Sequence, residues 1–381
     1  METSLNLNQV AAFVERSVLL QRNANQNGHL TSIPWLSGSP GIGKSEIIRQ
    51  VCKERGWGLK VVYMATVMLE QITGLPKIGK DEDMKTEFIL WSRPEIFNFN
   101  HLEVVPRSHQ DPVILFLDDA HLCNRQIQAY MFQLLTYKSI HDHRLPQNVA
   151  IILAGNRGND KAGFQEILAP VANRIFFIDL HADIDQWVED YAIRNGIRAD
   201  IITFLQNYPE FLIGKPIESG AWPSPRSWTY ASIAMDSFGN SLTEQAMFTI
   251  LSGHVGTEAT TRFIEYHELY AKWDAQEILT NHAPMHTGNL SKVESYAMLS
   301  SCVTYLLKKL RENRFKLNGS IEGLITRFGA IVAEMIRYHK EIVPLGLKLL
   351  LLEEKAETGK TTVIEKLTSD RKIVQELFDI V

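Results

Sequence analysis

The sequence predicts an α/β protein: a parallel sheet packed between helices, followed by two regions of helix alone. Three observations carry this. Five short apolar runs, Ile33–Ser37, Leu59–Met64, Val113–Leu117, Val149–Ala154 and Ile175–Asp179, are continuous rather than alternating, which suits strands buried on both faces. Helical stripes lie between them. Ile47, Ile48, Val51 and Cys52 form one, and Ile127, Tyr130, Met131, Leu134 and Leu135 form another at i, i+3, i+4, i+7, i+8 spacing. Beyond residue 180 the strand-like runs fade, so the sheet belongs to the first part of the chain.

In chain order, residues 1–180 read as the αβα core. Residues 181–270 read as a small helical domain, with helices expected over Trp187–Ile193, Ile201–Asn207, Trp228–Met235 and Leu242–Leu251 and a long loop at Gly214–Pro225. Residues 271–381 read as a helical C-terminal extension. There Tyr296, Leu299, Val303, Leu306, Leu307 and Leu310 share one face, and Ile321, Leu324, Ile325, Phe328, Val332, Met335 and Ile336 another, with Asn318-Gly319 as the break.

Composition narrows the function. The 381 residues are 45% hydrophobic and 22% charged, so a packed core is expected and wholesale disorder is excluded. Lys plus Arg number 39 against 44 Asp plus Glu, a net charge of −5, which argues against a protein built mainly to coat nucleic acid. Cys52, Cys123 and Cys302 are too few and too scattered for a disulfide framework and suit a reducing cytoplasm. No basic and apolar leader opens the sequence, and its apolar runs, Leu349–Leu352 and the longer Val149–Ala154 among them, are far short of the roughly 20 residues of a membrane span. A cytoplasmic protein is expected.

The strongest local signal is Gly38-Ser39-Pro40-Gly41-Ile42-Gly43-Lys44-Ser45, which matches G-x-x-x-x-G-K-[ST] in full. It follows a strand and opens a helix, as the motif requires. The glycines let the backbone curl so that N–H groups face a phosphate, and the helix N-terminus adds its positive dipole end. Lys44 is expected at the β and γ phosphates of ATP, and Ser45 on Mg²⁺. The candidate binding set is Gly38, Pro40, Gly41, Ile42, Gly43, Lys44, Ser45 and Glu46.

The second half of the site comes from the apolar run Val113–Leu117, which ends in Asp118-Asp119. A buried strand ending in acids places a carboxylate beside a bound cation. Asp118 is expected to hold Mg²⁺ through water, and Asp119 to polarise the attacking water. Alone, such a strand end looks like any solvated one; following a P-loop, it is specific.

With these motifs in view, the chain from about Ile33 to Tyr270 resembles a MoxR-like AAA+ ATPase of phage or bacterial type. The segments that carry the resemblance are GSPGIGKS, ITGLP, LFLDDA, LPQNVAIILAGN, LAPVANRIFFIDL and WPSPRSW, in that order. The resemblance makes the core an AAA+ P-loop NTPase and residues 181–270 its helical lid. It implies that Asn156 is sensor 1, a polar group that places the water or senses the γ-phosphate. It implies that Arg174 is the arginine finger offered to a neighbour's nucleotide, and that Arg226 is sensor 2. A charged phosphoryl transition state calls for such cations. Standing alone, either arginine reads equally well as a surface ion pair.

The family's usual residue after the Mg²⁺ aspartate is Glu, and here it is Asp119. The side chain is shorter by one C–C bond, about 1.5 Å, and a misplacement of ~1 Å can cost about 10²-fold in rate. Slow basal hydrolysis is therefore expected. The resemblance also implies two inserts facing the pore of a ring, one within Thr66–Phe97 with an exposed hairpin tip at Gly79–Phe88, the other at Ile140–Pro146. Lys77, Lys80, Lys85, Lys138 and Arg144 could touch a substrate there, or be solvated loop tips.

Other pairs look like ligand sites and read as ordinary polar residues. His121-x-Cys123 and His141-x-His143 fit no common zinc spacing. His282 and His286 lack the intervening Glu and are separated by Pro284. Gly359-Lys360-Thr361 has Glu354 where a P-loop needs its first Gly. The expected function is an ATP-driven ring motor or chaperone that remodels a protein partner. The resemblance implies a homo-oligomer, a hexameric ring, and a partner with a von Willebrand A domain. The rivals are a nucleic-acid motor or loader on the same ATPase core, and a nucleotide-gated scaffold with little turnover.

Overall fold

A computed structural model describes residues 5, 7–27, 29, 31–80, 87–156, 166–217, 220–280, 287–339, 342–358 and 362–367. The His282/His286 and Gly359–Thr361 segments, and Lys85 at the hairpin tip, lie outside them. The chain divides into two compact units, Met1–Ala182 and Asp183–Val381.

The first unit runs α1 (Leu7–Asn27), β1 (Ile33–Ser37), α2 (Lys44–Arg55), β2 (Gly58–Tyr63), α3 (Leu69–Thr73), β3 (Pro76–Lys80), β4 (Glu87–Trp91), β5 (Val113–Asp118), α4 (Arg125–Tyr137), β6 (Ser139–Ile140), β7 (His143–Arg144), β8 (Val149–Gly155), α5 (Ala169–Ala172) and β9 (Ile175–Asp179). The five apolar runs are its five parallel strands, in the order β2-β5-β8-β1-β9. Every residue of β1, β5 and β8 is buried, which is why those runs are continuous. The strands β5 and β8 each run one residue beyond the apolar stretch, to Asp118 and Gly155. With Ser37 aligned to Gly155 and to Asp179, the carboxyl ends of the central strands form one rim, where α/β sheets bind ligands.

Sequence patterning gave no hint of α1. Its buried stripe is Val10, Val14 and Val18, one residue per turn, and the next buried position is Gln21. Phe13, Leu19 and Leu20 are exposed, so the apolar periodicity is blurred. Gln21 takes the place of a strand partner on the β1-facing side of β8, which β1 pairs only from Leu153: its Nε2 donates to Ile151 O at 2.8 Å, and Ile151 N donates to its Oε1 at 3.0 Å. One turn on, Asn25 Nδ2 donates to Val149 O at 3.1 Å. These amides satisfy backbone groups of a buried strand that no neighbouring strand reaches.

Two small hairpins project from the core. Strands β3 and β4 pair antiparallel, with Ile78 opposite Ile89, and Lys80 and Glu87 close the described part of the ladder at 3.3 Å. This is the exposed hairpin expected between Gly79 and Phe88, although its flanks are apolar: Ile78 is 75% and Ile89 66% exposed. The second hairpin, β6–β7, touches the base of the first. The His141 ring stacks on Trp91 with centroids 4.2 Å apart, and His143 Nε2 lies 2.9 Å from Trp91 O. Lys138 is not a free loop cation. Its Nζ donates to Gln21 Oε1 at 2.9 Å, so the substrate-touching role considered for it does not fit.

The second unit contains α6 (Ile184–Trp187), α7 (Ala199–Asn207), α8 (Pro225–Phe238), α9 (Glu244–Val255), α10 (Thr257–Ala271), α11 (Ala275–Thr280), α12 (Lys292–Glu312), α13 (Gly319–His339), α14 (Val343–Thr358) and α15 (Thr362–Leu367). The helix α6 passes into one π-helical stretch, Val188–Ala192. Phe204 centres an aromatic core with Phe211, Trp228, Phe263 and Tyr266, all ring centroids within 5.8 Å of its own. The predicted apolar faces of α12 and α13 are buried, Ile336 only partly. A capping box starts α8: Ser224 Oγ accepts from Ser227 N, and Ser227 Oγ accepts from Ser224 N, with Pro225 in the first turn. No helix among the described residues is long and apolar enough to cross a membrane.

Candidate nucleotide site

The site is built where β1 gives way to α2. Gly41 and Gly43 adopt left-handed backbone, φ 80° and 108°, which an L side chain rarely takes. Gly38 is buried against Leu180, and a Cβ there would stand 3.3 Å from Leu180 Cβ. The loop therefore curls tightly, and α2 starts at Lys44 with its first N–H groups directed at the rim.

Two hydrogen-bonded arms tie this loop to the neighbouring strand ends. Lys44 Nζ donates to Gly38 O at 2.7 Å, Ser39 O at 3.1 Å and Asn156 Oδ1 at 2.9 Å. Ser45 Oγ donates to Asp118 Oδ2 at 2.5 Å. Asp118 is 6% exposed, and burial raises its pKa above the usual carboxylate value, opposed by the Ser45 hydrogen bond and reinforced by Asp119. Asp119 follows in left-handed backbone, φ 54°, a conformation Asp tolerates better than most residues, and its N–H donates to Asp118 Oδ1 at 3.0 Å.

The fold thus brings together Gly38, Lys44, Ser45, Asp118, Asp119 and Asn156, from three separate stretches of sequence. Ile42 is buried beneath the loop, and Pro40 lies on it partly exposed. Glu46 points outward, 3.6 Å from Arg49, so any contribution to binding comes from its backbone. Arg174 is engaged elsewhere in the same unit. Its Nε donates to Thr136 Oγ1, its Nη1 to Pro170 O at 2.8 Å, and its guanidinium carbon lies 4.2 Å from the Phe132 ring centroid. Arg226 is exposed in the first turn of α8, in the second unit, and makes no ion pair among the described residues. Sequence reasoning weighed His121 only as half of a His-x-Cys pair and read it as an ordinary polar residue; it is 1% exposed and lies against Asn156. Its position three residues after Asp118, on the turn leaving β5, was the available signal.

Ser45 and Asp118 offer a hydroxyl and a carboxylate oxygen side by side. That donor set fits Mg²⁺, which takes one or two protein oxygens and completes its shell with phosphate and water. No cluster of three or more His, Cys, Asp or Glu side chains suited to a metal occurs among the described residues. All three cysteines are buried and unpaired, their thiol pKa values pushed up to about 12 by burial, so they are inert. A separate cleft of about 420 Å³ runs along the outer edge of β2. There Lys60 Nζ is held by Glu95 O at 2.7 Å and Asn98 O at 2.5 Å, a structural role.

A five-stranded parallel sheet with a P-loop after β1, an acid pair ending β5 and a polar side chain after β8 defines a P-loop nucleotide hydrolase fold of AAA+ type. Sequence comparison agrees: residues 34–179 match the model of the ATPase family associated with various cellular activities (AAA), so this stretch is an AAA ATPase domain. No curated protein sequence matches the chain. Among solved structures, a RuvB variant from Thermotoga maritima is similar at 12% identity and TM-score 0.36, covering 88% of this chain and 87% of that one. RuvB of the same organism, described as a Holliday junction branch migration motor, is similar at 13% identity and TM-score 0.28, with the same coverage. At such scores these likenesses carry nothing about this chain's substrate.

Proposed function

We propose that the protein is an ATP-hydrolysing AAA+ ring motor of MoxR type that remodels or activates a protein partner. The observation that supports the hydrolytic part most directly is the pair of contacts Lys44–Asn156 and Ser45–Asp118, which gather the P-loop and both adjacent strand ends at one point. In this reading the loop N–H groups and Lys44 hold the β and γ phosphates. Ser45 and Asp118 hold Mg²⁺, which when bound neutralises charge developing on the phosphate oxygens. Asp119 accepts a proton from the attacking water, and Asn156 orients that water or the γ-phosphate.

Arg174 acts in trans. Its hydrogen bonds to Thr136 and Pro170 keep the guanidinium aligned until a neighbouring subunit's γ-phosphate competes for it. Arg226 is assigned as sensor 2. A cation in the first helical turn opposes the helix dipole at a cost of about 0.3–1 kcal/mol, which favours an anionic ligand as the reason for its presence. The remodelling of a protein, the hexamer and a von Willebrand A-domain partner rest on the family resemblance.

Asp119 supports the second reading, a nucleotide-gated scaffold with little turnover, because its carboxylate reaches less far than Glu. Sedimentation of the Asp119→Asn variant with ATP, alongside turnover of the wild type with and without DNA or RNA, tests the proposal. A hexamer formed with ATP, and turnover indifferent to nucleic acid, support it. Salt-sensitive stimulation by DNA or RNA would replace it with a nucleic-acid motor, and a monomer in every state with no turnover would leave the scaffold.

A further inference from the structure

The strand β2 lies at an edge of the sheet and pairs with β5 on one side. In a parallel pair, alternate residues bond to the same neighbour. Gly58 N donates to Pro112 O at 2.9 Å and Met64 N to Asp118 O at 2.8 Å, so the even residues from Gly58 to Met64 face β5. The odd residues Leu59, Val61 and Tyr63 turn their N–H and C=O groups outward. Leu59 is satisfied there: its N donates to Val104 O at 2.9 Å, and its O accepts from Glu103 N at 2.8 Å. Tyr63 O accepts from Thr66 N at 3.1 Å. Val61 N, Val61 O and Tyr63 N have no hydrogen-bond partner among the described residues.

The segment that reaches Leu59 does not go on to cover these groups. Val104 opposes Leu59 in an antiparallel bridge, so an unbroken ladder would set Leu102 against Val61 and Asn100 against Tyr63. Instead Lys60 Nζ binds Glu95 O at 2.7 Å and Asn98 O at 2.5 Å, and Asn100 N turns back to Asn98 Oδ1 at 3.1 Å. What is left along this edge is the cleft of about 420 Å³, within the ~300–1,000 Å³ of ligand pockets. It is bounded by Thr66, Val67 and Gln71 after β2, and by Glu95, His101 and Glu103 on the returning segment. A bare strand edge is a template for another strand.

Charge selects the occupant. Lys60 spends its ammonium on the two carbonyls and stands 3.8 Å from the Glu95 carboxylate, beyond hydrogen-bond reach. The Glu95 side chain is 59% exposed, with room for a further cation. Glu103, the second acid of the cleft, is paired with Arg49. Val62, Val67 and Ile96 supply apolar surface beside these acids.

We propose that the outer edge of β2 is a peptide-docking groove: an extended segment of a protein partner, with a Lys or Arg among apolar residues, adds as a strand opposite Val61 and Tyr63 and sets its cation against Glu95. Main-chain hydrogen bonds give the affinity and side chains the selectivity. The proposal goes beyond the nucleotide site and does not depend on it, so the test is run without nucleotide.

The probe is a positional-scanning library of blocked, fluorescent pentapeptides, read by anisotropy with the full chain. Members mixing Val or Ile with Lys or Arg are expected to bind, and Glu-containing members to bind more weakly. The tightest member is then remade with N-methyl groups on alternate amides, in each of the two registers. A docked strand bonds through every second residue, so one isomer loses at least about tenfold in affinity and the other does not. Val61→Pro removes the outward N–H and leaves the even-residue ladder to β5, a place where an edge strand tolerates Pro. It is expected to weaken binding at least about tenfold. Glu95→Gln is expected to weaken basic members about threefold and to remove most of the salt dependence. Should Val61→Pro fail to fold, the two N-methyl isomers decide the matter on the wild type. No binding by any member at millimolar peptide, loss of affinity in both isomers or in neither, wild-type binding by Val61→Pro, or an undiminished basic preference in Glu95→Gln would each overturn the proposal. A disulfide between two Tyr63→Cys copies, with every peptide excluded, would replace the partner by a second copy of this chain.

Discussion

At the scale of single residues, the site stores unfavourable electrostatics that a ligand can relieve. Asp118 is buried beside Asp119, with its pKa raised, so its ionised form costs stability in the folded chain. The sign follows from linkage. The folded chain keeps this proton to higher pH than the unfolded chain does, so the contribution is fully present below the ordinary carboxylate pKa and is lost as pH rises through the folded value. Asp118→Asn should therefore raise the melting temperature at neutral pH while lowering Mg²⁺-dependent turnover by at least about 10²-fold. Thermal scans at several pH values, paired with phosphate release, check both halves. Lys138 gives an independent case. Burial lowers its pKa to about 7 from 10.5, so the unfolded chain binds more protons between those values and stability should rise with pH across that window. Urea titrations at the two ends of the window should show this, and Lys138→Met should flatten the dependence.

At the scale of elements, the P-loop and the five strands were legible because each is a local pattern: glycines and a lysine at fixed spacing, or an unbroken apolar run. The helix α1 was not, because what it supplies is tertiary. Gln21 and Asn25 look like loop residues until the β1-facing side of β8 is seen to be unpaired over Val149–Ile151, where only β5 pairs with it. Gln21→Leu should cost about 1–3 kcal/mol, the penalty for buried backbone groups left unsatisfied, measured as a shift in the urea midpoint. A surface link in the same region, Arg55 Nη2 to Glu15 Oε2 at 2.8 Å, should matter far less when Glu15→Ala is made. The contact of the two hairpins was equally hidden. Trp91 lies 50 residues before His141 and 52 before His143, and a His-x-His spelling says nothing of a stacked ring. An isolated two-stranded hairpin is marginal in water, so Trp91→Ala should expose β3–β4 to limited proteolysis before the core is cut. In the site itself, Lys44, Ser45 and Asp118 could be read from motifs, and Asn156 from the resemblance. His121 could be placed near Asp118 from the sequence, but its contact with Asn156 could not, because that depends on the register between β5 and β8.

At the scale of the whole molecule, the central claim is that an AAA ATPase domain spanning most of the first unit hydrolyses ATP in a shared, ring-like assembly. The shared part makes a distinctive prediction. An Arg174→Ala subunit keeps its P-loop, and a Lys44→Ala subunit keeps Arg174, the proposed finger. In a randomly mixed ring about one interface in four pairs the two intact halves, so two inactive variants should regain part of the turnover on mixing. Turnover per subunit should also climb with protein concentration, since a ligand that bridges subunits stabilises the assembled state. The hydrolytic part comes first, and one comparison tests it most directly: ATP binding and Mg²⁺-dependent phosphate release by the wild type, Lys44→Ala and Asp119→Asn. The account predicts slow release by the wild type, weakened binding and no release in Lys44→Ala, and retained binding without release in Asp119→Asn. Phosphate release by Lys44→Ala at the wild-type rate would contradict it.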